Sequence, residues 1–257
     1  MNIRSVVRGL LNRFGHDIQQ IEQGPRRIRT TIRQSYSLIR EQGFNPQTVI
    51  DVGVASGTME LYSVFPDSYF LLIEPLKEFE SDLKSILKRY RGSYILAAAG
   101  SSSGHVTFNV HDNHLGGSSL YKETMGPQAD GHEVTVPMIR IDDIVKDKQL
   151  ARPYLIKADV QGAELDMLDG AQQAMVEAEV IVLEVFLFEF MKGAPQFFDV
   201  VFYMKNRGFV AYDIILEWNR PLDNALGQIE IVFVKDKGMF RKDHSYSTIE
   251  QMKTLFG

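Results

Sequence analysis

The chain has 257 residues, with 44% apolar and 24% charged positions and a formal net charge of −5. This length suits one large α/β domain with insertions, and the acidic balance disfavours a nucleic-acid-binding protein. The absence of cysteine excludes disulfides, thiolate metal sites and a cysteine nucleophile, and it suits a cytoplasmic location. No run of 18 apolar residues occurs, so we expect no membrane-spanning helix.

The first 45 residues predict a helical extension in front of the domain. Apolar residues at helical spacing, with arginines on the opposite face, fill the first 14 positions and predict a basic amphipathic helix. Such a helix either packs on the domain as a lid or contacts a membrane surface or a partner protein. Gly24-Pro25 should end it, and a second helix is predicted over residues 26–42, with Gly43 as its C-terminal cap.

From residue 48 onward, strand and helix patterns alternate, which is typical of a parallel sheet covered on both faces. Between residues 101 and 140 the alternation stops, and two short β-type runs flank a polar loop rich in glycine. We therefore predict a domain over residues 46–240 with an insertion at 101–140, followed by a tail at 241–257. The predicted strands cover residues 48–53, 69–74, 93–98, 154–159, 180–185, 209–212 and 228–234, the last as an edge strand.

The stretch from Thr48 to Thr58 predicts a strand, a glycine turn and the start of a helix. Gly53 and Gly57 let backbone N–H groups approach a ligand closely, as in nucleotide-binding loops. The dinucleotide spacing G-x-G-x-x-G is absent, and Asp51 would repel a pyrophosphate but attract an ammonium group. Glu74, at the end of the second predicted strand, can accept hydrogen bonds from both hydroxyls of a ribose. A ribose and an amino acid without a phosphate describe S-adenosylmethionine.

Further patterns follow the glycine turn in a fixed order. The series is Val49-Ile-Asp-Val-Gly-x-x-x-Gly57, Glu74-Pro75, Gly117-Ser-Ser-Leu120, Ile141-Asp-Asp143 and Ile156-Lys-Ala-Asp-Val-Gln-Gly-Ala-Glu164. Over residues 48–190 this series resembles the FkbM family of S-adenosylmethionine-dependent methyltransferases. Two positions depart from the family pattern, which usually has Asn where Ala55 stands and Glu where Gln161 stands.

The resemblance implies a Rossmann-like class I methyltransferase fold, a doubly wound and mostly parallel sheet of seven strands with the last one antiparallel. It also implies O-methylation as the commonest activity, on sugar hydroxyls of glycans, glycolipids or other metabolites. We expect the cofactor over the carboxyl edge of the first three strands. The expected cofactor contacts are Asp51, Gly53, Ser56, Gly57, Glu74, Pro75, Ala98, Ala99 and Asp159.

Asp159 and Glu184 end the fourth and fifth predicted strands, side by side at the carboxyl edge where ligands bind. Each could act as a base, orient a hydroxyl or bind a hard cation. We predict Asp159 as the base and Glu184 as the group that orients the acceptor hydroxyl. The alternatives are an N-terminal helix cap for Asp159 and a buried polar partner for Glu184. We predict no metal site, although a divalent cation such as Mg²⁺ stays open.

The glycine-rich loop of the insertion supplies candidate contacts to the acceptor. We expect His111, His114, Ser118 and Ser119 to contact it from a mobile wall with few apolar anchors, together with Trp218 in a late loop. The two histidines are three apart in a stretch that is not helical, so we expect exposed loop side chains and not metal ligands. The alternatives are a purely structural hairpin for the loop and a packing role for Trp218.

The sequence thus predicts an O-methyltransferase that acts on a hydroxyl of a sugar or a glycosylated small molecule, without a nucleic-acid partner. One alternative is a binding or scaffold protein that keeps the fold without catalysis, which the Ala55 and Gln161 departures favour weakly. Another is an N-methyltransferase, although Asp159-Val-Gln-Gly162 stands where a proline-containing signature is usual for that class.

Overall fold

The computed structural model describes residues 28–256, so the predicted basic helix and its break at Gly24-Pro25 lie outside the described residues. No helix within 28–256 has the length and apolar character needed to cross a membrane. The strands are β1 (Thr48–Val52), β2 (Tyr69–Glu74), β3 (Gly92–Leu96), β4 (Ala98–Ala99), β5 (Gly104–Val110), β6 (His132–Ile139), β7 (Tyr154–Ala158), β8 (Ala178–Phe186), β9 (Phe209–Asn219) and β10 (Leu226–Lys235). The α-helices are α1 (Ile32–Glu41), α2 (Met59–Val64), α3 (Glu80–Leu87), α4 (Ile141–Asp147), α5 (Glu164–Asp169), α6 (Gln172–Glu177), α7 (Phe197–Asn206) and α8 (Ile249–Phe256).

The second predicted helix is confirmed as α1. Its first turn is capped by the Gln34 side chain, whose oxygen accepts the N–H groups of Thr30 and Thr31 at 2.8 and 3.3 Å. Gly43 follows the helix with a φ of +92°, and no atom lies within 4 Å of a Cβ placed there. Glycine adopts this left-handed conformation without steric cost, which ends the helix as predicted.

Seven strands form one sheet in the order β3-β2-β1-β7-β8-β10-β9, and only β10 is antiparallel to its neighbours. The prediction of a doubly wound, mostly parallel sheet of seven strands is therefore confirmed. The prediction that residues 228–234 form an edge strand is wrong, because β10 lies inside the sheet and β9 forms the edge. The reason is the fully buried run Ile231–Val234, since a strand that is apolar on both faces belongs in the interior.

The registers around β1 bring the carboxyl ends of three strands to one level. Val52 of β1 pairs with Ile73 of β2 and with Ala158 of β7. The next residue of each strand therefore lies at the carboxyl edge, where ligands bind in doubly wound sheets. These next residues are Gly53, Glu74 and Asp159.

A layer of helices covers each face of the sheet. On one face α1, α2 and α3 contribute buried side chains such as Tyr36, Tyr62 and Leu83. On the other face α4 to α7 contribute side chains such as Met167 and Val200. Each fully buried large apolar side chain contributes about 1.5–3 kcal/mol, so the two layers hold the carboxyl edge firmly in place.

The insertion forms a second sheet of three strands in the order β4-β6-β5. The predicted third strand, 93–98, is divided between the sheets, since β3 ends at Leu96 and Ala98–Ala99 pairs with β6. A small apolar cluster that includes Phe108 and Val136 packs against Leu76, which directly follows β2 and Pro75. The packing of this cluster fixes the position of the insertion next to the carboxyl edge of the large sheet.

The helical segment after β7 is divided into α5 and α6 at Gly170. A Cβ at Gly170 would lie 1.9 Å from the carbonyl oxygen of Gly100, so the chain has no room for a side chain there. The Asp142 carboxylate then caps α6 by accepting the N–H groups of Gln173 and Ala174 at 2.9–3.1 Å. The Ile141-Asp-Asp143 motif thus has a structural role away from the cleft.

Candidate active site

A cleft opens at the carboxyl edge, between the ends of β1, β2 and β7 and the insertion. From the insertion, Phe108, Leu115 and Ser118 line the wall that faces the sheet. Six of the nine predicted cofactor contacts line the cleft, namely Gly53, Glu74, Pro75, Ala98, Ala99 and Asp159.

Gly53 brings the backbone after β1 against the backbone after β7 at this cleft. Its φ is +74°, and a Cβ built on it would lie 1.8 Å from the carbonyl oxygen of Asp159. The Gly53 N–H donates to the carbonyl of Ile73 at 2.9 Å, and the Asp159 N–H donates to that of Val52 at 3.0 Å. Glycine alone fits this position, so the loop presents bare backbone to the cleft.

Gly53→Ala is expected to lower the free energy of unfolding by about 3 kcal/mol or more, because the new Cβ overlaps backbone atoms. Gly43→Ala is the matched control, since it shares the positive φ but has no atom within 4 Å of the added Cβ. There the strain is about 1–2 kcal/mol. Urea denaturation measures both losses, and equal losses would contradict the close approach at Gly53.

Glu74 is 4% exposed, and both of its carboxylate oxygens accept backbone hydrogen bonds. Oε2 accepts the N–H of Ala55 and Oε1 accepts the N–H of Leu76, each at 2.9 Å. Burial raises the pKa of Glu74, and these two hydrogen bonds oppose the rise. Each oxygen can accept a second hydrogen bond, so a diol in the cleft can donate one to each.

Three predicted cofactor contacts lie away from the cleft wall. Asp51 has no exposed surface; its carboxylate accepts the hydroxyl of Tyr62 and lies 3.9 Å from Nζ of Lys157. Gly57 packs on α3, since a Cβ there would lie 2.7 Å from a side-chain carbon of that helix. Ser56 is exposed beside the cleft and does not line it. These three residues do not line the cleft, and a direct contact between them and a cofactor stays a prediction.

The lining of the cleft fits S-adenosylmethionine. The buried carboxylate of Glu74 offers acceptors to a ribose diol, and it would repel a phosphate. The bare backbone at Gly53 leaves room for an amino-acid chain, and the small side chains of Ala98 and Ala99 leave room for a flat base. Asp51 does not line the cleft, so the predicted attraction between its carboxylate and the ammonium group stays a prediction.

Asp159 and Glu184, the predicted catalytic acids, are bridged by the side chain of Gln161. Its amide nitrogen donates to Oδ1 of Asp159 at 2.8 Å and to Oε2 of Glu184 at 2.7 Å. Gln161 has a φ of +53°, and its carbonyl accepts the hydroxyl of Ser119 at 2.7 Å. Asp159 does not cap the next helix, because Ala163 occupies that position. The sequence placed the two acids together, but it gave no sign of the amide between them.

The two acids differ in ionisation. Burial alone would raise the pKa of Asp159, but the charge of Lys157 and hydrogen bonds from its neighbours hold it below its ordinary value. Burial raises the pKa of Glu184 well above its ordinary value, and the adjacent charge of Asp159 raises it further. Asp159 is therefore the stronger acid of the pair, and Glu184 holds a proton more tightly.

Lys157, which sequence reasoning missed, lies beneath this pair on β7. Its Nζ is 3.4 Å from Oδ2 of Asp159 and 3.9 Å from Oδ1 of Asp51, and its side chain is 5% exposed. Burial would lower the pKa of Lys157, but the charges of Asp159 and Asp51 raise it, so the lysine is charged. The available signal was a single basic residue inside an otherwise apolar strand.

Two further carboxyl groups, also missed, extend the acids across the sheet. Glu230 of β10 is the register partner of Glu184 on β8, and Glu217 lies on the adjacent β9. Burial raises the pKa of Glu230 to about 8 and also raises the pKa of Glu217. Over residues 28–256, no three His, Asp or Glu side chains have the geometry to hold a metal ion.

The Glu164 carboxyl closes the turn between the acid pair and α5. It accepts the N–H groups of Val160 and Gly162 at 3.1 and 3.3 Å and is 4% exposed. Burial raises the pKa of Glu164 from 4.5 to about 7. The folded protein therefore binds this proton more tightly than the unfolded chain does. Its contribution to stability is full below pH 4.5 and is lost as the pH rises towards 7.

Glu164→Gln is expected to remove this part of the pH dependence, because glutamine keeps the shape and does not titrate. Between the two pH limits, the free energy of unfolding of the wild type should fall by about 2–4 kcal/mol more than that of the variant. Urea denaturation on both sides of the window measures the difference. Parallel curves for the two proteins would contradict the assignment to Glu164.

Hydrogen bonds hold the glycine-rich loop of the insertion at several points, and its predicted mobility stays a prediction. Nδ2 of Asn109 donates to the carbonyls of Ser119 and Tyr121 at 3.3 and 3.1 Å. Ser119 is fully buried, and its hydroxyl donates to the carbonyl of Gln161. Ser118 lines the cleft. Of the two predicted serines, one therefore faces the cleft and the other ties the loop to the acid pair.

The two histidines of the loop do not line the cleft. His111 is 7% exposed, its Nδ1 lies 3.0 Å from Oε1 of Glu123, and its N–H donates to Oγ of Ser118. The prediction of an exposed side chain is wrong for His111, because Glu123 provides a buried partner that the sequence pattern did not reveal. His114 is exposed, as predicted, and its ring lies against Gly117.

Trp218 lies on β9 at the edge of the sheet, so its prediction as a loop residue is wrong. Its side chain is 68% exposed and does not line the cleft. Such exposure does not fit the alternative of a packing residue. A contact between Trp218 and the acceptor stays a prediction.

Comparisons with known proteins give the chain a family. Solved structures with a similar chain path include an rRNA methylase from Streptococcus thermophilus, at 11% identity and a TM-score of 0.44, covering 81% of this chain and 98% of that one. Another is the magnesium protoporphyrin IX methyltransferase of Synechocystis PCC 6803 with bound S-adenosylmethionine, at 10% identity and a TM-score of 0.43, covering 91% and 98%. Structural similarity at this level does not identify the acceptor of the methyl group.

A search of curated protein sequences gives no match. The family model of the methyltransferase FkbM domain matches residues 51–211, more than half of the chain. This range contains the glycine loop, Glu74, the insertion and the acid pair. The chain therefore belongs to the FkbM family of S-adenosylmethionine-dependent methyltransferases.

Proposed function

We propose that this protein transfers the methyl group of S-adenosylmethionine to a hydroxyl of a sugar or a glycosylated small molecule. The observation that carries the proposal is the acid pair at the cleft, Asp159 and Glu184, which the side chain of Gln161 bridges. Within this pair the pKa of Asp159 is lowered and the pKa of Glu184 is raised. A hydroxyl is both a donor and an acceptor of hydrogen bonds, and the pair offers one partner for each role.

The proposed cofactor site uses the cleft in three parts. Glu74 accepts the two ribose hydroxyls, the backbone at Gly53 borders the amino-acid chain, and Pro75, Ala98 and Ala99 border the adenine. When bound, S-adenosylmethionine supplies a methyl group on a positively charged sulfur. The residues of the protein hold it in line with the acceptor oxygen, and such positioning supplies much of the rate.

Asp159 is the proposed base. Its side chain is 34% exposed and lines the cleft, so it can reach a bound acceptor. The acceptor proton moves to the Asp159 carboxylate, which leaves an electron pair on oxygen for the new bond; a positioned base contributes a factor of about 10²–10⁴. Glu184 keeps its own proton, with which it donates a hydrogen bond to the acceptor oxygen or to Asp159.

An amine acceptor fits the same surroundings less well. An ammonium group has donors only, so it offers no lone pair to the proton of Glu184. The carboxylate of Asp159 would also stabilise the charged form, and a charged ammonium has no electron pair for methylation. The raised pKa values of Glu184, Glu230 and Glu217 favour protonated, neutral carboxyl groups, which suit a neutral acceptor with several hydroxyls.

The remaining parts of the chain keep their predicted roles as proposals. We propose residues 46–240 as the domain and residues 241–257 as its tail, and most of the extension predicted over residues 1–45 lies outside the described residues. The acidic net charge and the acids near the cleft disfavour a nucleic-acid acceptor. A cytoplasmic location suits a chain without cysteine.

The test is a panel of acceptors in which pairs of compounds differ at one hydroxyl. Release of S-adenosylhomocysteine is measured with monosaccharides, glycosides, their deoxy analogues and the corresponding amino sugars. We expect release with a sugar whose deoxy analogue is inactive. Release that follows the amine, and is indifferent to the hydroxyl, would overturn the proposal.

A further inference from the structure

A line of polar side chains runs through the buried part of the sheet to the acid pair. The Tyr62 hydroxyl donates to Asp51, whose other carboxylate oxygen lies 3.9 Å from Nζ of Lys157. The same Nζ lies 3.4 Å from Asp159 at the cleft wall. Tyr62 and Asp51 have no exposed surface, and Lys157 is 4% exposed. The line thus joins a helix layer to the proposed base without contact with water along its length.

The register of the sheet fixes this arrangement. Asp51 and Lys157 are directly opposite each other on β1 and β7. Asp159 follows Lys157 by two positions, which places the two side chains on the same face. Every residue of β1 and of β7 is buried. The lysine cannot turn away without leaving buried charges unpaired, which is strongly unfavourable.

The bridge between the two acids does not distinguish them. Gln161 donates to Asp159 at 2.8 Å and to Glu184 at 2.7 Å, so its contacts are nearly equal. The ion pairs of Lys157 within the described part of the chain are with Asp51 and Asp159, and Glu184 is not among them. The contact that differs between the two acids is therefore the ion pair of Asp159 with Lys157.

We propose that Lys157 is a positioning residue that makes Asp159, and not Glu184, the group that takes the acceptor proton, and that Asp51 acts on this choice through Lys157. The inference rests on the proposed function and adds the origin of its asymmetry. It also gives Asp51, the aspartate of the glycine-loop motif, a role that needs no contact with a ligand.

Other ionisable groups face the same line from the neighbouring elements. Glu230 and Glu184 act on Lys157 less strongly than Asp159 and Asp51 do. The buried Tyr36 hydroxyl faces the charges of Glu230 and Asp51 from α1. Further carboxyl groups that interact with Asp159 or Glu184 are those of Glu74, Glu164 and Glu217.

The test follows the ionisation of Asp159 directly through the ¹³C signal of its side-chain carboxyl carbon, assigned by its loss in Asp159→Asn. The main variant is the double substitution Asp51→Asn with Lys157→Met, which removes one buried charge of each sign and leaves neither unpaired. In this double variant the titration midpoint of Asp159 should rise by about one pH unit or more relative to the wild type. Lys157→Arg keeps the positive charge and should restore a midpoint near that of the wild type.

The single variant Asp51→Asn provides a second test, which does not depend on the double variant. Without the competing carboxylate, Lys157 interacts with Asp159 alone, so the midpoint of Asp159 should fall. A rise in the Asp159 midpoint, or no change in it, would refute the proposed effect of Asp51. S-adenosylmethionine affinity, measured by calorimetry, should be unchanged in this variant, because Asp51 lies away from the cleft.

The inference and the proposed function fail separately. With an acceptor in hand, the acid limb of kcat should move with the Asp159 midpoint, while the KM for S-adenosylmethionine stays constant. A folded double variant with the wild-type midpoint would overturn the inference, because a merely structural lysine would change stability alone. A shifted midpoint in a protein that methylates an amine and no hydroxyl would overturn the proposed function and leave the action of Lys157 on Asp159 supported.

Discussion

Asp159→Asn is expected to lower kcat by about a hundredfold or more, because a positioned base contributes a factor of about 10²–10⁴. Asparagine has nearly the same shape and can still accept the hydrogen bond from Gln161. It cannot take up the acceptor proton, and it offers no charge to Lys157. Cofactor affinity should survive, since the nearby cleft wall consists of backbone at Gly53 and the separate carboxylate of Glu74.

Release of S-adenosylhomocysteine measures the turnover of Asp159→Asn, and calorimetry with S-adenosylmethionine measures its binding. Asp67→Asn, a change of the same kind on an exposed loop residue, is the matched control and should leave both unchanged. Near-normal turnover in Asp159→Asn with a hydroxyl acceptor would assign the base to another group. Loss of both turnover and binding would show that Asp159 acts mainly on the cofactor.

Glu74→Ala is expected to weaken the binding of S-adenosylmethionine by about 1–3 kcal/mol, or about 5–150-fold in Kd. Two effects add. The ribose loses its acceptors, and the N–H groups of Ala55 and Leu76 lose the carboxylate that holds the glycine loop. Ala55 has a φ of +45°, a strained conformation for alanine, so the loop depends on this hydrogen bond.

Glu74→Gln separates the two effects, because its amide oxygen can still hold one of the backbone N–H groups. It should bind the cofactor more tightly than Glu74→Ala and less tightly than the wild type. Glu78→Ala, an exposed acid four residues away, is the control and should leave Kd unchanged. Calorimetric titration gives all four values, and an unchanged Kd in Glu74→Ala would remove Glu74 from the cofactor site.

The fold and the centre of the site could be predicted because they follow from local patterns. Apolar strands that alternate with helices specify a doubly wound sheet, and the sheet brings its strand-end residues to one edge. Gly53, Glu74 and Asp159 stand at strand ends, and Glu184 lies two residues before the end of β8, so their meeting follows from the order of the strands. Residue type and position along the strand were sufficient for them.

Asp51 shows where this reasoning stops. Its position one residue before the strand end indicates a site near the ligand, but side chains alternate along a strand, so it points into a helix layer. There it meets Tyr62 and Lys157, partners that depend on packing between elements. Gly57 is a similar case, since it is required by contact with α3 and not by a ligand.

The insertion was predicted in outline and missed in detail. Its two β arms were found, but the loop between them is fixed by partners that lie elsewhere in the chain, such as Glu123 for His111 and Gln161 for Ser119. The interior position of β10 was missed for a related reason. The apolar run Ile231–Val234 favours an interior strand, but the neighbours of β10 depend on the order of the strands in space.

The most direct test of the account places the transferred methyl group on an atom. The enzyme is incubated with S-adenosylmethionine carrying a ¹³C-labelled methyl group and with the acceptor that the panel identifies, and the product is analysed by NMR. The account predicts a labelled methyl bound to a sugar oxygen, formed by the wild type and not at a comparable rate by Asp159→Asn. A labelled methyl on nitrogen or carbon, or equal product from Asp159→Asn, would contradict it.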